Sequence, residues 1–272
     1  AIGDNVMRNN TTGTENTAIG RHALWTNTTG SYSTASGYMA LFSNTTGDSN
    51  TALGYKSAYS NTTGTYNTAL GFESLYSNTT ASYNVAVGMQ SLYTNSTGAS
   101  NTASGFRALY LNTTGSYNTA IGDQALRDNT TGNDNVAVGP YSLFENTTGR
   151  QNIAVGRQAL NTNTTGNDNV AIGYQSLYVS TTASSNTAIG HESMVATTTG
   201  GNNVALGAST LGSNTTGGNN TALGYEACEQ NTTGSSNVCI GYEAGKTMGT
   251  GNSNQLYISN SSSQDLITGD FS

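Results

Sequence analysis

The sequence is poor in nearly everything that catalysis, nucleic acids or membranes require. Only 8% of its 272 residues are charged, and eight Lys and Arg stand against fifteen Asp and Glu, for a net charge of −7. Eight scattered cations build no basic patch, which argues against nucleic-acid binding. No run of about 18 apolar residues occurs, so no helical membrane span is expected. Two cysteines neither demand nor exclude an oxidising compartment. The two histidines, His22 and His191, are too far apart along the chain to found a zinc cluster. The G-G-x-G-x-D pattern of calcium-binding repeats is missing. Glu226 and Glu243 sit one repeat apart, in the manner of a hydrolytic carboxylate pair, but a solvated outer face explains them better. With no nucleophile–base constellation left to assemble, the chain is read as not an enzyme, with no metal and no cofactor. Disorder is the other meaning that such polarity often carries. Disordered chains, however, combine high net charge with a lack of periodic apolar positions, and this one has the reverse.

What is present is repetition. Glycines at 20, 37, 54, 71, 88, 105, 122, 139, 156, 173, 190, 207, 224 and 241 recur at one constant interval with no insertion, and Gly3 is in register. Fixed-period repetition signals a solenoid or array. A unit of 17 is too short for a helical hairpin or a propeller blade and fits one rung of a parallel β-solenoid, with two short strands and two corners. The predicted fold is therefore an all-β roll of 14–15 rungs over residues 1–253, ended by an exit or capping segment over 254–272. At ~4.8 Å per rung it would form a rod of roughly 70 Å. The chain starts inside a repeat, with no initiator Met or signal peptide, and so reads as a fragment or processed product.

Within the unit the consensus is N-[TV]-A-[ILV]-G-x-x-[AS]-L-[aromatic]-x-N-T-T-G-x-x, numbered here as positions 1 to 17. Positions 2 to 5 are predicted as the first strand, rich in Thr, Val and Ile. Gly at position 5 implies a corner with positive φ or close backbone approach. Ala at position 3 and Leu at position 9 would face each other across a thin interior, because alternate strand residues point to opposite faces. Position 4 then points outward, yet it is apolar: Ile19, Leu53, Leu70, Val87, Ile121, Val138, Val155, Ile172, Ile189, Leu206, Leu223 and Ile240. An outer apolar stripe of that length calls for cover. A second copy of the chain is the simplest cover, so these residues are the candidate seam of a homo-oligomer.

Other columns allow two readings each. Position 10 carries an aromatic ladder, Trp25, Phe42, Tyr59, Tyr76, Tyr93, Tyr110, then Phe144 and Tyr178. It is either a glycan- or fibre-binding row or the edge of the core or seam. The Thr pair of each N-T-T-G either forms corners and inter-rung hydrogen bonds or, less fittingly, orders water as ice-binding Thr-x-Thr arrays do. The same corners spell Asn-x-Ser/Thr, with acceptors including Asn27, Asn44, Asn61, Asn78 and Asn112. These are glycosylation sites where the machinery exists, or a ladder of stacked amides. Cys228 at position 9 and Cys239 at position 3 of the next rung either form a disulfide or serve as small core residues.

The N-[TV]-A-[ILV]-G-x-x-[AS] core resembles the head repeat of YadA-like trimeric adhesins, whose repeat is usually shorter; here N-T-T-G lengthens it to 17. In this longer form it is similar to repeats of phage tail fibres and related bacterial surface proteins. Asn254-Gln255-Leu256-Tyr257-Ile258 and Leu266-Ile267-Thr268-Gly269-Asp270-Phe271-Ser272 resemble the exit segment of such proteins, which often precedes a self-cleaving intramolecular chaperone domain. The resemblance implies a left-handed parallel β-roll assembled as a homotrimer. It also implies an extracellular, cell-surface or virion-surface location, with a role as shaft or head of a fibre in adhesion or attachment. The partners expected are further copies of the chain, including head-to-tail polymers, and an unidentified surface glycan or receptor. A phage receptor-binding fibre, a purely structural filament and an ice-binding solenoid stand as alternatives.

Overall fold

The computed structural model describes residues 1–261 and 265–270. Phe271 and Ser272, the end of the exit motif, lie outside the described residues. The chain divides into two compact units, Ala1–Asp134 and Asn135–Ser272. In both, every rung contributes one short strand that pairs in parallel with its counterpart in the next rung. In the first unit these run from β1 (Thr17–Ile19) to β7 (Thr119–Ile121), and in the second from β8 (Val136–Val138) to β14 (Val238–Ile240). The fold is thus a parallel β-solenoid of about 14 rungs, with no helix among the described residues. Register is strict: β3 (Thr51–Leu53) meets β4 (Thr68–Leu70) with Ala52 opposite Ala69 and Leu53 opposite Leu70. The second unit ends differently. There β15 (Gln255–Ser259) continues the parallel stack on β14, and β16 (Asp265–Asp270) folds back antiparallel against β15.

Two expectations need correction. The strand covers positions 2 to 4 only, because Gly at position 5 already turns the chain. Gly71 has φ +137°, and a methyl group on it would stand 2.6 Å from the Gly88 carbonyl oxygen. The second predicted strand does not form at all. Positions 7 and 9 take left-handed conformations, as in Glu73 (φ 52°) and Leu75 (φ 52°), and position 17 does the same, as in Tyr83 (φ 61°). The N–H groups of positions 7 and 9 thereby go to opposite neighbours. Lys56 N–H donates to the Tyr38 carbonyl one rung back at 2.9 Å, and Ala58 N–H to the Ser74 carbonyl one rung ahead at 2.9 Å. The inter-rung hydrogen bonds of a sheet are kept without its extended backbone.

A left-handed residue other than glycine costs ~1–2 kcal/mol. Leu at position 9 accepts that cost because the conformation drives its side chain inward; Leu75, Leu92 and Leu109 are fully buried. Burying a leucine contributes ~1.5–3 kcal/mol, so burial outweighs the backbone cost. Ala at position 3 lies opposite, equally buried, and the interior is as thin as the sequence implies. Two columns of buried asparagine complete it. Position 12 forms an amide ladder: Asn61 Nδ2 donates to Asn44 Oδ1 at 2.8 Å and Asn78 Nδ2 to Asn61 Oδ1 at 2.7 Å. Position 1 asparagines accept from the next rung's backbone, Asn67 N–H to Asn50 Oδ1 at 2.9 Å. Both columns converge on the position-15 carbonyl, where Gly64 O accepts from Asn61 Nδ2 at 3.0 Å and Asn50 Nδ2 at 2.8 Å.

Candidate functional site

With the interior filled, anything the protein recognises must meet the outward side chains, chiefly those at positions 2, 4, 6, 7, 10, 11, 14, 16 and 17. The most organised of these lie in the first unit. The position-10 rings from Trp25 to Tyr110 form one continuous stack. Centroids are 6.2 Å apart for Trp25–Phe42, 5.2 Å for Phe42–Tyr59, 5.1 Å for Tyr59–Tyr76 and Tyr76–Tyr93, and 5.2 Å for Tyr93–Tyr110, and no pair is tilted by more than 16°. Such order follows from the strict period, which repeats each side chain at the strand spacing of about 4.8 Å. Phe144 and Tyr178 belong to the second unit and do not build a comparable row. Asn161 occupies position 10 between them, and Phe144 packs against Tyr141 at 5.6 Å with the rings tilted by 58°.

A second ladder, not singled out in the sequence, runs at position 6. Tyr38, Tyr55 and Phe72 stack at 5.4 and 5.1 Å, and Tyr174–His191 and Tyr225–Tyr242 do so at 5.3 and 5.5 Å in the second unit. Position 17 adds the exposed Tyr32, Tyr66, Tyr83 and Tyr117. Tallying every column of the aligned repeat would have found both. Between the ladders of the first unit lies position 7, a polar column whose cations rest on rings. Lys56 Nζ is 5.3 Å from the Tyr55 ring and 5.5 Å from Tyr59, and the Arg107 guanidinium is 5.0 Å from Phe106 and 5.2 Å from Tyr110. Gln90 links the column, donating to Glu73 at 3.1 Å and accepting from Arg107 Nε at 3.0 Å. Burial pushes the Tyr93 phenol above its ordinary value, helped by the negative charge of Glu73. Burial opposes the charge of Lys56, but the surrounding Tyr55, Tyr76 and Tyr59 outweigh it and raise its pKa.

This geometry limits what the ladder can bind. A sugar ring stacks on the open face of an aromatic ring, and here each face lies against the next ring. The row offers edges and phenol hydroxyls rather than faces.

The remaining candidates fall into place around it. The position-4 column lies on the outer strand surface. Ile19, Leu53, Ile121, Ile172, Ile189, Leu223 and Ile240 are exposed, whereas Leu70, Val87, Val138, Val155 and Leu206 are half-buried. Asn27, Asn44, Asn61, Asn78 and Asn112 are buried in the amide ladder. Each donates both amide hydrogens, as Asn44 does to Asn27 Oδ1 and Gly47 O, both at 2.9 Å. The folded chain therefore presents no free amide to a glycosyl donor at these positions. Of each threonine pair, the position-13 hydroxyl is spent on the next rung, Thr28 donating to the Thr45 carbonyl at 3.0 Å. Position 14 is exposed along the repeat, and where position 13 is exposed as well, at Thr11 and Thr181, its hydroxyl is already engaged with the next rung, so no array of paired free hydroxyls faces water. Cys228 and Cys239 form a disulfide across the interior, with Cα atoms 5.8 Å apart, in the places that Leu and Ala hold elsewhere. No group of three or more His, Cys, Asp or Glu that could hold a metal lies together among the described residues. Among the same residues, no helix is long and apolar enough to cross a membrane.

No family model, no curated protein and no solved structure matches this chain.

Proposed function

We propose that the chain is a structural shaft segment of an extracellular fibre, built by lateral association of identical copies through the outer strand face. One observation carries this reading. The interior is complete within a single chain, yet the strands present a second apolar column to water, with Ile19 42% and Leu223 44% exposed. Parallel sheets are normally covered on both faces, and a surface that repeats rung by rung is matched most simply by the same repeat. Three copies is the stoichiometry that the resemblance to YadA-like heads implies. The sparse charge and hydrogen-bonded rungs suit a rigid spacer, and the buried disulfide supports an oxidising compartment. Attachment to a surface partner would use the phenol edges of the ladders.

The test is the solution mass of the chain by light scattering after size exclusion. A trimer would elute at three times the 28.0 kDa of one chain, and a monodisperse 28.0 kDa species would overturn self-association. Open-ended larger species would favour head-to-tail filaments instead of closed trimers.

A further inference from the structure

The amide ladder at position 12 runs without a break from Asn10 to Asn129 in the first unit. In the second unit it stops. Asn163 donates to Asn146 Oδ1 at 2.8 Å, but the next two rungs carry Ser180 and Thr197. Serine is too short to reach back. Asn163 Oδ1 and Ser180 Oγ are both buried with no hydrogen-bond partner among the described residues. The same substitution leaves a third group short. Where a position-12 asparagine is present, the position-15 carbonyl accepts two amides, as Ala81 O does from Asn78 at 3.0 Å and Asn67 at 2.9 Å. Ala183 O, the position-15 carbonyl of the Ser180 rung, accepts a side-chain amide only from Asn169, at 2.8 Å, among the described residues. Asn163 Oδ1 and Ala183 O face the same point, for both crowd the place where a side chain on Gly166 would begin.

We propose that this gap is a binding site for one structural water molecule. A water there replaces the missing amide nitrogen group for group. It donates one hydrogen to Asn163 Oδ1 and the other to Ala183 O, as an asparagine Nδ2 would, and accepts from the Ser180 hydroxyl. Three partners is the usual coordination of a buried water, and satisfying three buried polar groups is what makes such a molecule costly to remove. The contrast with the other ladder end sharpens the assignment. Asn231 Oδ1 is also unpartnered, and the next rung's Asn252 O likewise accepts a side-chain amide only from Asn237, at 2.8 Å, among the described residues, but there no hydroxyl completes the set. The side chain beyond is the apolar Met248. A water at that end would find two acceptors and no hydroxyl donor, not three partners. At Thr197 the hydroxyl accepts from Asn214 Nδ2 at 3.4 Å, so the ladder resumes there by itself.

The site is tested by a crystal structure of the chain at a resolution where buried waters are visible, alongside the Ser180→Asn variant. The expected result is a solvent peak at hydrogen-bond distance from Asn163 Oδ1, Ala183 O and Ser180 Oγ. In Ser180→Asn that peak disappears, and the introduced amide bridges the same two oxygens. An empty gap in the parent structure would overturn the proposal. So would a peak at the short distances of a metal cation, or a peak that persists unchanged in the variant.

Discussion

Gly71 and Leu75 show how much of this fold is decided one residue at a time. Gly71 combines φ +137° with a Cβ position only 2.6 Å from the Gly88 carbonyl oxygen, so both conformation and space require glycine. Backbone strain of this kind costs of order 1–3 kcal/mol, and the clash adds to it because the opposing atom is backbone and cannot swing away. Gly71→Ala is therefore expected to lower stability in urea unfolding by roughly that amount or more, and a loss under about 0.5 kcal/mol would show that the rung can widen. Leu75 illustrates the opposite case, a residue in a left-handed conformation that its side chain does not prefer. There the burial of the side chain decides, and nothing in the identity of leucine announces the conformation. The aligned repeat shows a leucine at position 9; only the folded rung shows why it points inward.

At the scale of a single rung, polar networks do as much as the apolar interior. The regular rungs close on the doubly accepting position-15 carbonyl, and the Ser180 rung departs from that pattern. Near the end of the second unit a different network ties rungs together. Lys246 Nζ bonds to Glu226 and, at 3.0 Å, to Glu243. The hydrogen bond from Lys246, with that from Tyr225, holds the Glu226 carboxyl below its ordinary value of 4.5, and the two carboxylates raise Lys246. Because the folded pKa of Glu226 is depressed, the stabilisation it brings is present above pH 4.5 and is lost as pH falls through the lowered folded value. Lys246 is raised, so its share is present at neutral pH and lost only as pH rises past the lysine range. A carboxyl carbon NMR titration should place the Glu226 midpoint below 4.5, and Lys246→Met should move it upward. An identical midpoint in the two proteins would mean that the cluster is not formed in solution.

For the molecule as a whole, the outer strand face carries the argument. Leu53 and Leu223 lie in different units and are 40% and 44% exposed, so replacing both with lysine leaves the interior untouched. Leu53→Lys with Leu223→Lys is expected to keep the circular dichroism spectrum of the parent and to elute at the 28.0 kDa of a single chain. An associated species of unchanged mass would move the contact to another face, the exposed position-17 tyrosines being the next to alter.

The sequence by itself determined the period, the parallel stacking, the inward alanine and leucine of positions 3 and 9 and the outward apolar column. All of these follow from a 17-residue repeat read with the alternation of strand side chains. It also brought Cys228 and Cys239 to facing positions, because positions 9 and 3 oppose each other in every rung. The tertiary structure decided what depends on backbone conformation and on neighbours one rung away. It replaced the second strand with a stretch whose positions 7 and 9 are left-handed, since no column of amino-acid types encodes a left-handed leucine. It turned the apparent sequons into a buried ladder, because each amide meets donors and acceptors in the rungs on either side and so stays hydrogen-bonded when buried. It set the aromatic rings face against face, because the rung spacing leaves room for one ring and nothing between.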